Sequence, residues 1–176
     1  LGPGDDAAVI KSQNNILVSS DMLVEGIHFD MSFTPLKHLG YKSVIVNISD
    51  IYAMNAIPTH ITVNLGISSK YTLEAIDELY DGILLACKKY KVDIIGGDIT
   101  SCLNGLTISI TVIGEGNENE IVRRSGAKEN DLLVTTGDLG GAYMGLNVLQ
   151  REKEVWKNNQ NMQPELDNFN YILERQ

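Results

Sequence analysis

Cysteine is nearly missing from this chain of 176 residues: only Cys87 and Cys102 occur, and not in Cys-x-x-Cys spacing. That excludes a disulfide framework and a thiolate zinc site. Cys87 falls within an apolar helical pattern and reads as a buried thiol. Positive charge is also scarce. The 14 Lys and Arg residues face 23 Asp and Glu, a formal net charge of −9. Such a balance argues against nucleic acid or an anionic membrane as partner, because phosphate contacts are made chiefly by basic side chains. No apolar run approaches the ~18 residues of a membrane-spanning helix. The chain opens on Gly-Pro-Gly-Asp-Asp and not on a basic, apolar leader, so no signal peptide is expected and a cytoplasmic location is. There is no Gly-x-Ser-x-Gly elbow, no His-x-x-x-His pair and no Gly-x-x-x-x-Gly-Lys-Ser/Thr loop. If phosphoryl groups are transferred, the catalyst is neither a P-loop enzyme nor a protein kinase.

What is present suits a globular domain: 43% hydrophobic and 21% charged residues. Strands are expected at 7–10 and 16–20 around a polar turn. Helical spacing of Leu36, Leu39, Val44, Ile48, Ile51 and Tyr52 predicts a first helix, with Thr34 as N-cap and Pro35 at the first helical position. A strand follows at 60–67. Thr72 caps a second helix with the stripe Leu73, Ile76, Leu79, Tyr80, Ile83, Leu84 and Cys87; its acidic start and basic end complement the helix dipole. Further strands are expected at 92–95, 106–114, 121–123 and 131–135, then a helix from the 137–141 turn through Leu149. The interleaving indicates an α+β (α/β) domain.

Acidic residues recur beside glycine and hydroxyl groups: Gly4-Asp5-Asp6, Ser19-Ser20-Asp21, Ser49-Asp50 and Gly96-Gly97-Asp98. Each alone is compatible with a turn or a cap. Together, oxygen ligands suit Mg²⁺, and glycine lets a backbone approach phosphate. Asp50 stands out because its helix is strongly apolar, and a carboxylate there is costly unless paired or liganded. Arg123 and Arg124 read either as a solvated edge or as a clamp on phosphate. His28 is the one histidine near a carboxylate cluster; His38 and His60 look like ordinary helix and strand residues.

In order along the chain, Gly-Asp-Asp-Ala-Ala-Val (4–9), Ser-Ser-Asp-Met-Leu-Val-Glu-Gly-Ile-His-Phe (19–29), Val-Asn-Ile-Ser-Asp-Ile-Tyr-Ala-Met-Asn-Ala-Ile-Pro (46–58), Gly-Gly-Asp-Ile-Thr (96–100) and Arg-Ser-Gly-Ala-Lys (124–128) closely resemble the thiamine-monophosphate kinases. These belong to the aminoimidazole-ribotide-synthetase-like, or PurM-like, superfamily. The resemblance implies ATP-dependent phosphorylation of thiamine monophosphate to thiamine diphosphate by direct transfer, assisted by several Mg²⁺ ions. It implies metal ligation by Asp6, Ser19, Ser20, Asp21, Asp50 and Asp98, of which Asp50, Asp21 and Asp98 are the catalytic candidates. Gly97, Asp98 and Arg124 would contact ATP, and His28 the substrate. The implied fold is a PurM N-terminal-like domain: a mixed sheet with helices on one face, pairing with a second copy into a barrel. Residues 1–130 would bind ATP and Mg²⁺ and dimerise, and 131–176 would begin a truncated C-terminal domain. The alternation of Ile61, Val63, Leu65 and Ile67 and of Leu106, Ile108, Ile110 and Val112 is also read as an exposed face that invites a homodimer.

Ile99 stands where the family pattern has threonine, and the family's Asp-Leu-Ser-Asp-Gly and Gly-Gly-Glu-Asp-Tyr motifs have no counterpart. The alternatives are a selenophosphate synthetase, a hydrogenase-maturation factor, or a non-catalytic nucleotide-binding or dimerisation module. No reactive Cys with a lysine in a glycine-rich N-terminal stretch, the mark of the first, is visible.

Overall fold

A computed structural model describes residues 12–175. The expected strand at 7–10 and the proposed ligand Asp6 lie outside the described residues. The chain forms two compact units, Leu1–Gly126 and Ala127–Gln176.

The first unit is built on a four-stranded sheet from β1 (Asn15–Val24), β2 (Ile57–Ile67), β3 (Asp93–Ser101) and β4 (Leu106–Gly116), in the order β1-β4-β2-β3. β4 is antiparallel to both neighbours, whereas β2 and β3 are parallel and joined through helix α2 (Leu73–Tyr90). A parallel pair needs such a crossover because no tight turn can join its ends. Helix α1 (Leu36–Ala53) lies against β1, β2 and β4, and α2 packs along α1.

The apolar face of β2 and β4 is internal. Ile61, Val63, Leu65, Leu106, Ile108, Ile110 and Val112 are at most 2% exposed and share one core with Leu39, Val44, Ile48, Leu79 and Ile83 of the helices. The expectation that these residues form an exposed dimerising face is therefore corrected. Alternation marks one buried face of a sheet, and here helices of the same chain bury it. The opposite face carries polar Thr62, Asn64, Ser109 and Thr111, paired across β2 and β4. On β1 it adds the exposed Ile16, Val18 and Met22.

Local chemistry accounts for most boundaries. Thr72 accepts a hydrogen bond from the Ala75 N–H at 3.3 Å, and Lys91 closes α2 in the left-handed conformation. Pro35, not Thr34, occupies the N-cap of α1, with extended backbone and no side-chain cap. β2 starts at Ile57, with Pro58 beside a register shift, where the missing N–H costs least. β3 does not stop at Gly96: Gly97 and Asp98 lie inside it, against Val63 and Asn64. The stretches 121–123 and 131–135 are not strands. Ile121 and Val122 bond instead to Asn117 and Met54. Leu132, Leu133 and Val134 are exposed, with no neighbouring strand among the described residues to pair them.

The second unit holds helix α3 (Gly141–Asn158), longer than the run to Leu149 expected, and the short helix α4 (Asn170–Leu173) against it. Glu152 secures this unit. It accepts the Glu165 N–H at 3.0 Å and the Arg151 Nε–H at 2.8 Å, and these bonds lower its pKa. Among the described residues, no helix is long and apolar enough to cross a membrane.

Candidate functional site

Strand β1 alternates its side chains, so Leu17, Ser19 and Asp21 share the face that meets α1. Across from them, α1 presents Asn47 and Asp50. Ser19 Oγ donates to Asp50 Oδ2 at 2.6 Å, and the Asp21 N–H donates to Asn47 Oδ1 at 2.9 Å. Asn47 is buried, and its Nδ2 donates to Ser43 O at 2.8 Å. Asp50 itself is exposed. Asp50 therefore does not suffer the desolvation expected of a carboxylate in an apolar helix: Val44, Ile48 and Ile51 turn to the core while Asp50 stands at the rim. Its interest comes from what it faces.

It faces a cavity of about 800 Å³, lined by the start of β1 through Ser19, by Asp50 and Met54, and by Glu118, Arg123 and Arg124. The segment 117–124, which supplies part of the lining, is tied down at several points. The Val122 N–H donates to Met54 O at 3.0 Å, and Asn55 Nδ2 donates to Glu120 O at 3.0 Å. Asn15 Nδ2 donates to Glu118, whose other oxygen holds Arg123 at 3.4 Å. Arg124 lines the same cavity without a hydrogen bond or ion pair among the described residues. The Ser19 hydroxyl, the Asp50 carboxylate and the Arg124 guanidinium line one cavity, a set that can accept a cation and an anion together.

Other residues singled out in the sequence lie elsewhere. Ser20 is on the opposite face of β1, its hydroxyl 3.2 Å from Ile110 O and 3.0 Å from Thr111 Oγ1. Asp98 and Gly97 sit on β3, the edge strand, with Asp98 in register with Asn64 on the polar face. His28 belongs to the turn after β1, where its Nδ1 accepts the Val24 N–H at 3.0 Å. That turn is anchored by Glu25, which binds Lys70 and accepts the Tyr71 hydroxyl at 2.7 Å. Burial works to raise the Glu25 pKa, but Lys70 and Tyr71 outweigh it and hold the carboxyl below its usual range.

Among the described residues, no three His, Cys, Asp or Glu side chains cluster as a metal site. The donors that do meet are the hydroxyl of Ser19 and the carboxylate of Asp50, with Asp21 two residues along the same strand face. This all-oxygen, solvent-open set fits a hard cation such as Mg²⁺, which keeps several waters. The tether through Asn15 and Glu118 had no sequence signal, since it joins positions 103 residues apart.

Residues 4–115 match the model of the family described as AIR synthase related protein, N-terminal domain. The chain is 39% identical over 171 residues to a thiamine-monophosphate kinase of Bacillus subtilis, covering 96% of this chain and 51% of that one. It is similar to a thiamine-monophosphate kinase structure from Stenotrophomonas maltophilia, with TM-score 0.77 and 31% identity over 86% of this chain and 47% of the other. A structure described as AaThiL complexed with AMPPCP and TMP is similar at TM-score 0.74 and 32% identity, covering 83% of this chain and 46% of that one. The chain spans about half the length of the curated relatives it matches.

Proposed function

From the premise that the chain belongs to the AIR synthase related protein family, through a domain of PurM-like fold, we propose that it takes part in ATP-dependent phosphorylation of thiamine monophosphate to thiamine diphosphate. The observation that carries this reading is the Ser19–Asp50 contact at 2.6 Å, set in a cavity that Arg124 also lines. The complex of AaThiL with AMPPCP and TMP supports ATP and thiamine monophosphate as the substrates.

In the proposed reaction an oxygen of the substrate phosphate attacks the γ-phosphorus of ATP. The bond from that phosphorus to the β,γ-bridging oxygen breaks, and ADP leaves. Mg²⁺, when bound, screens the phosphate charges. Asp50, Asp21 and Ser19 would hold it, and Arg124 would donate charge-assisted hydrogen bonds to phosphate oxygens. Asp6, Ser20 and Asp98 as further metal ligands, Gly97 and Asp98 as ATP contacts, and His28 as a substrate contact rest on the resemblance alone, as does the catalytic role of Asp98 and Asp21. A homodimer joined through the polar sheet face, which carries the exposed Ile16, Val18 and Met22 of β1, and a cytoplasmic setting complete the proposal.

The direct test is to incubate the chain with ATP, Mg²⁺ and thiamine monophosphate and assay thiamine diphosphate, with calorimetry of AMPPCP binding in parallel. Metal-dependent nucleotide binding is expected. Apposing ATP to a protein of net charge −9 is unfavourable until cations intervene. Binding of equal strength in EDTA, or no binding with Mg²⁺, overturns the reading.

A further inference from the structure

The geometry points to Asn47 as the positioning residue that sets β1 against α1 so that Ser19 and Asp50 meet. This inference rests on the reading of the cavity as a metal and phosphate site. Two rungs join the strand to the helix. The outer one is Ser19 Oγ to Asp50 Oδ2 at 2.6 Å, open to solvent at the cavity wall. The inner one is the Asp21 N–H to Asn47 Oδ1 at 2.9 Å, with Asn47 only 1% exposed.

The inner rung is the more constrained of the two. Asn47 spends both ends of its amide: Oδ1 on the strand and Nδ2 on Ser43 O, one turn back in its own helix. The second bond locks the side-chain rotamer, so the first fixes where the strand backbone lies. Its neighbours Val44, Ile48 and Ile51 are at most 1% exposed, so water has no access to replace a lost bond. An unpaired buried amide is costly, which makes the crosslink close to obligatory once α1 is packed. The Ile110 carbonyl, Asp21's register partner on β4, accepts the Ser20 hydroxyl. Ser19 lies two residues before Asp21 on the same strand face, and Asp50 three residues after Asn47 on the helix. Displacing one rung therefore displaces the other. A misplacement of about 1 Å in a reacting constellation can cost on the order of a hundredfold.

The test uses the full chain with Asn47→Leu, Asn47→Asp and, in parallel, Asp50→Asn. Two quantities are read: amide hydrogen exchange at Asp21 by NMR, and the Mg²⁺ concentration that gives half-maximal AMPPCP binding. Asn47→Leu keeps the size but removes the acceptor. It is expected to speed Asp21 exchange at least about tenfold and to raise the half-saturating Mg²⁺ at least about tenfold. Asn47→Asp, which burial favours as the neutral acid, can accept from the Asp21 N–H and donate its O–H to Ser43 O, and is expected to recover part of both losses. A folded Asn47→Leu that changes neither quantity overturns the inference. So does an Asn47→Asp that folds yet recovers nothing, because the loss is then general. If Asn47→Leu does not fold, the wild-type chain decides: an unprotected Asp21 amide overturns the crosslink. If Asp50→Asn leaves the Mg²⁺ dependence unchanged, the functional reading fails, while Asp21 exchange still reports on Asn47.

Discussion

Gly40 of α1 and Gly82 of α2 bring the two helix backbones into contact, each facing the other helix where a side chain would stand. A Cβ on Gly40 would lie 2.0 Å from Leu79 O, and one on Gly82 would lie 1.9 Å from Lys37 O. Backbone cannot yield as the end of a side chain can. The crossing thus holds α1, which carries Asn47 and Asp50, at a depth only glycine permits. Gly82→Ala is expected to push the helices apart and to destabilise the fold by at least about 2 kcal/mol, the upper range of overpacking. Denaturant unfolding checks it. A midpoint equal to wild type would show that the helices can separate freely.

The Asp50 carboxylate is exposed and bonded to Ser19, so its loss should harm ligand handling more than folding. Asp50→Asn is expected to lower Mg²⁺-dependent turnover by about a hundredfold or more with little change in thermal midpoint. Ser19→Ala should cost less, and the double variant little beyond Asp50→Asn, since residues in direct contact act as a unit. Kinetics across a Mg²⁺ titration decide this. Near wild-type turnover for Asp50→Asn at saturating Mg²⁺ removes the residue from the site.

Much of this arrangement could be read in the sequence, and the rest could not for specific reasons. The apolar spacing from Leu36 to Ile51 located α1, and Thr72 marked the start of α2, because local periodicity and capping decide both. The alternation in β4 is equally plain, but it cannot say which layer covers the apolar face, so in the sequence alone this part of the core looks like an interface. Gly96 and Gly97 resemble a turn, yet β3 runs through them. A Cβ at Gly97 would lie 1.9 Å from Val63 O, so the glycine serves close strand approach. Ser19 and Asp50 were both marked by chemistry, but their contact across 31 residues is set by packing. Asp98 was marked with them, and strand register leaves it on a different face.

The Glu25 cluster gives a pH dependence of known sign. The Glu25 carboxyl is held below its usual range in the folded chain. Its stabilisation is therefore fully present above the unfolded carboxylate value of about 4.3. It is lost as pH falls through the lower folded value. The Tyr71 hydroxyl is shifted upward, by burial first and Glu25 second. Its contribution is present below the ordinary phenol value of about 10 and declines only as pH rises through the higher folded one. Thermal unfolding of Glu25→Gln is expected to show a flatter decline below about pH 4.3 than wild type. Parallel curves would mean that Lys70 and Tyr71 do not favour the ionised carboxylate.

The turn after β1 selects the tautomer of the neutral His28 ring. Its Nδ1 accepts the Val24 N–H at 3.0 Å, so that nitrogen must carry a lone pair and, in the neutral ring, the proton sits on Nε2. The adjoining backbone bonds, Gly26 N–H to Phe29 O at 2.8 Å and His28 N–H to Val24 O at 2.9 Å, hold the main chain of the turn that presents the ring. A ring so held can only donate to a ligand, through Nε2, and a proton on Nδ1 would oppose the Val24 N–H. A phosphate or hydroxyl oxygen is thus a suitable partner, and a ligand N–H is not. Nitrogen-15 NMR of the neutral imidazole is expected to show the Nε2–H tautomer. His28→Asn, which can place a carbonyl oxygen near Val24 N–H but not a donor at the Nε2 position, is expected to keep the fold and weaken substrate binding. An Nδ1–H tautomer in the folded chain would break the Val24 contact and remove the basis for His28 as a fixed donor.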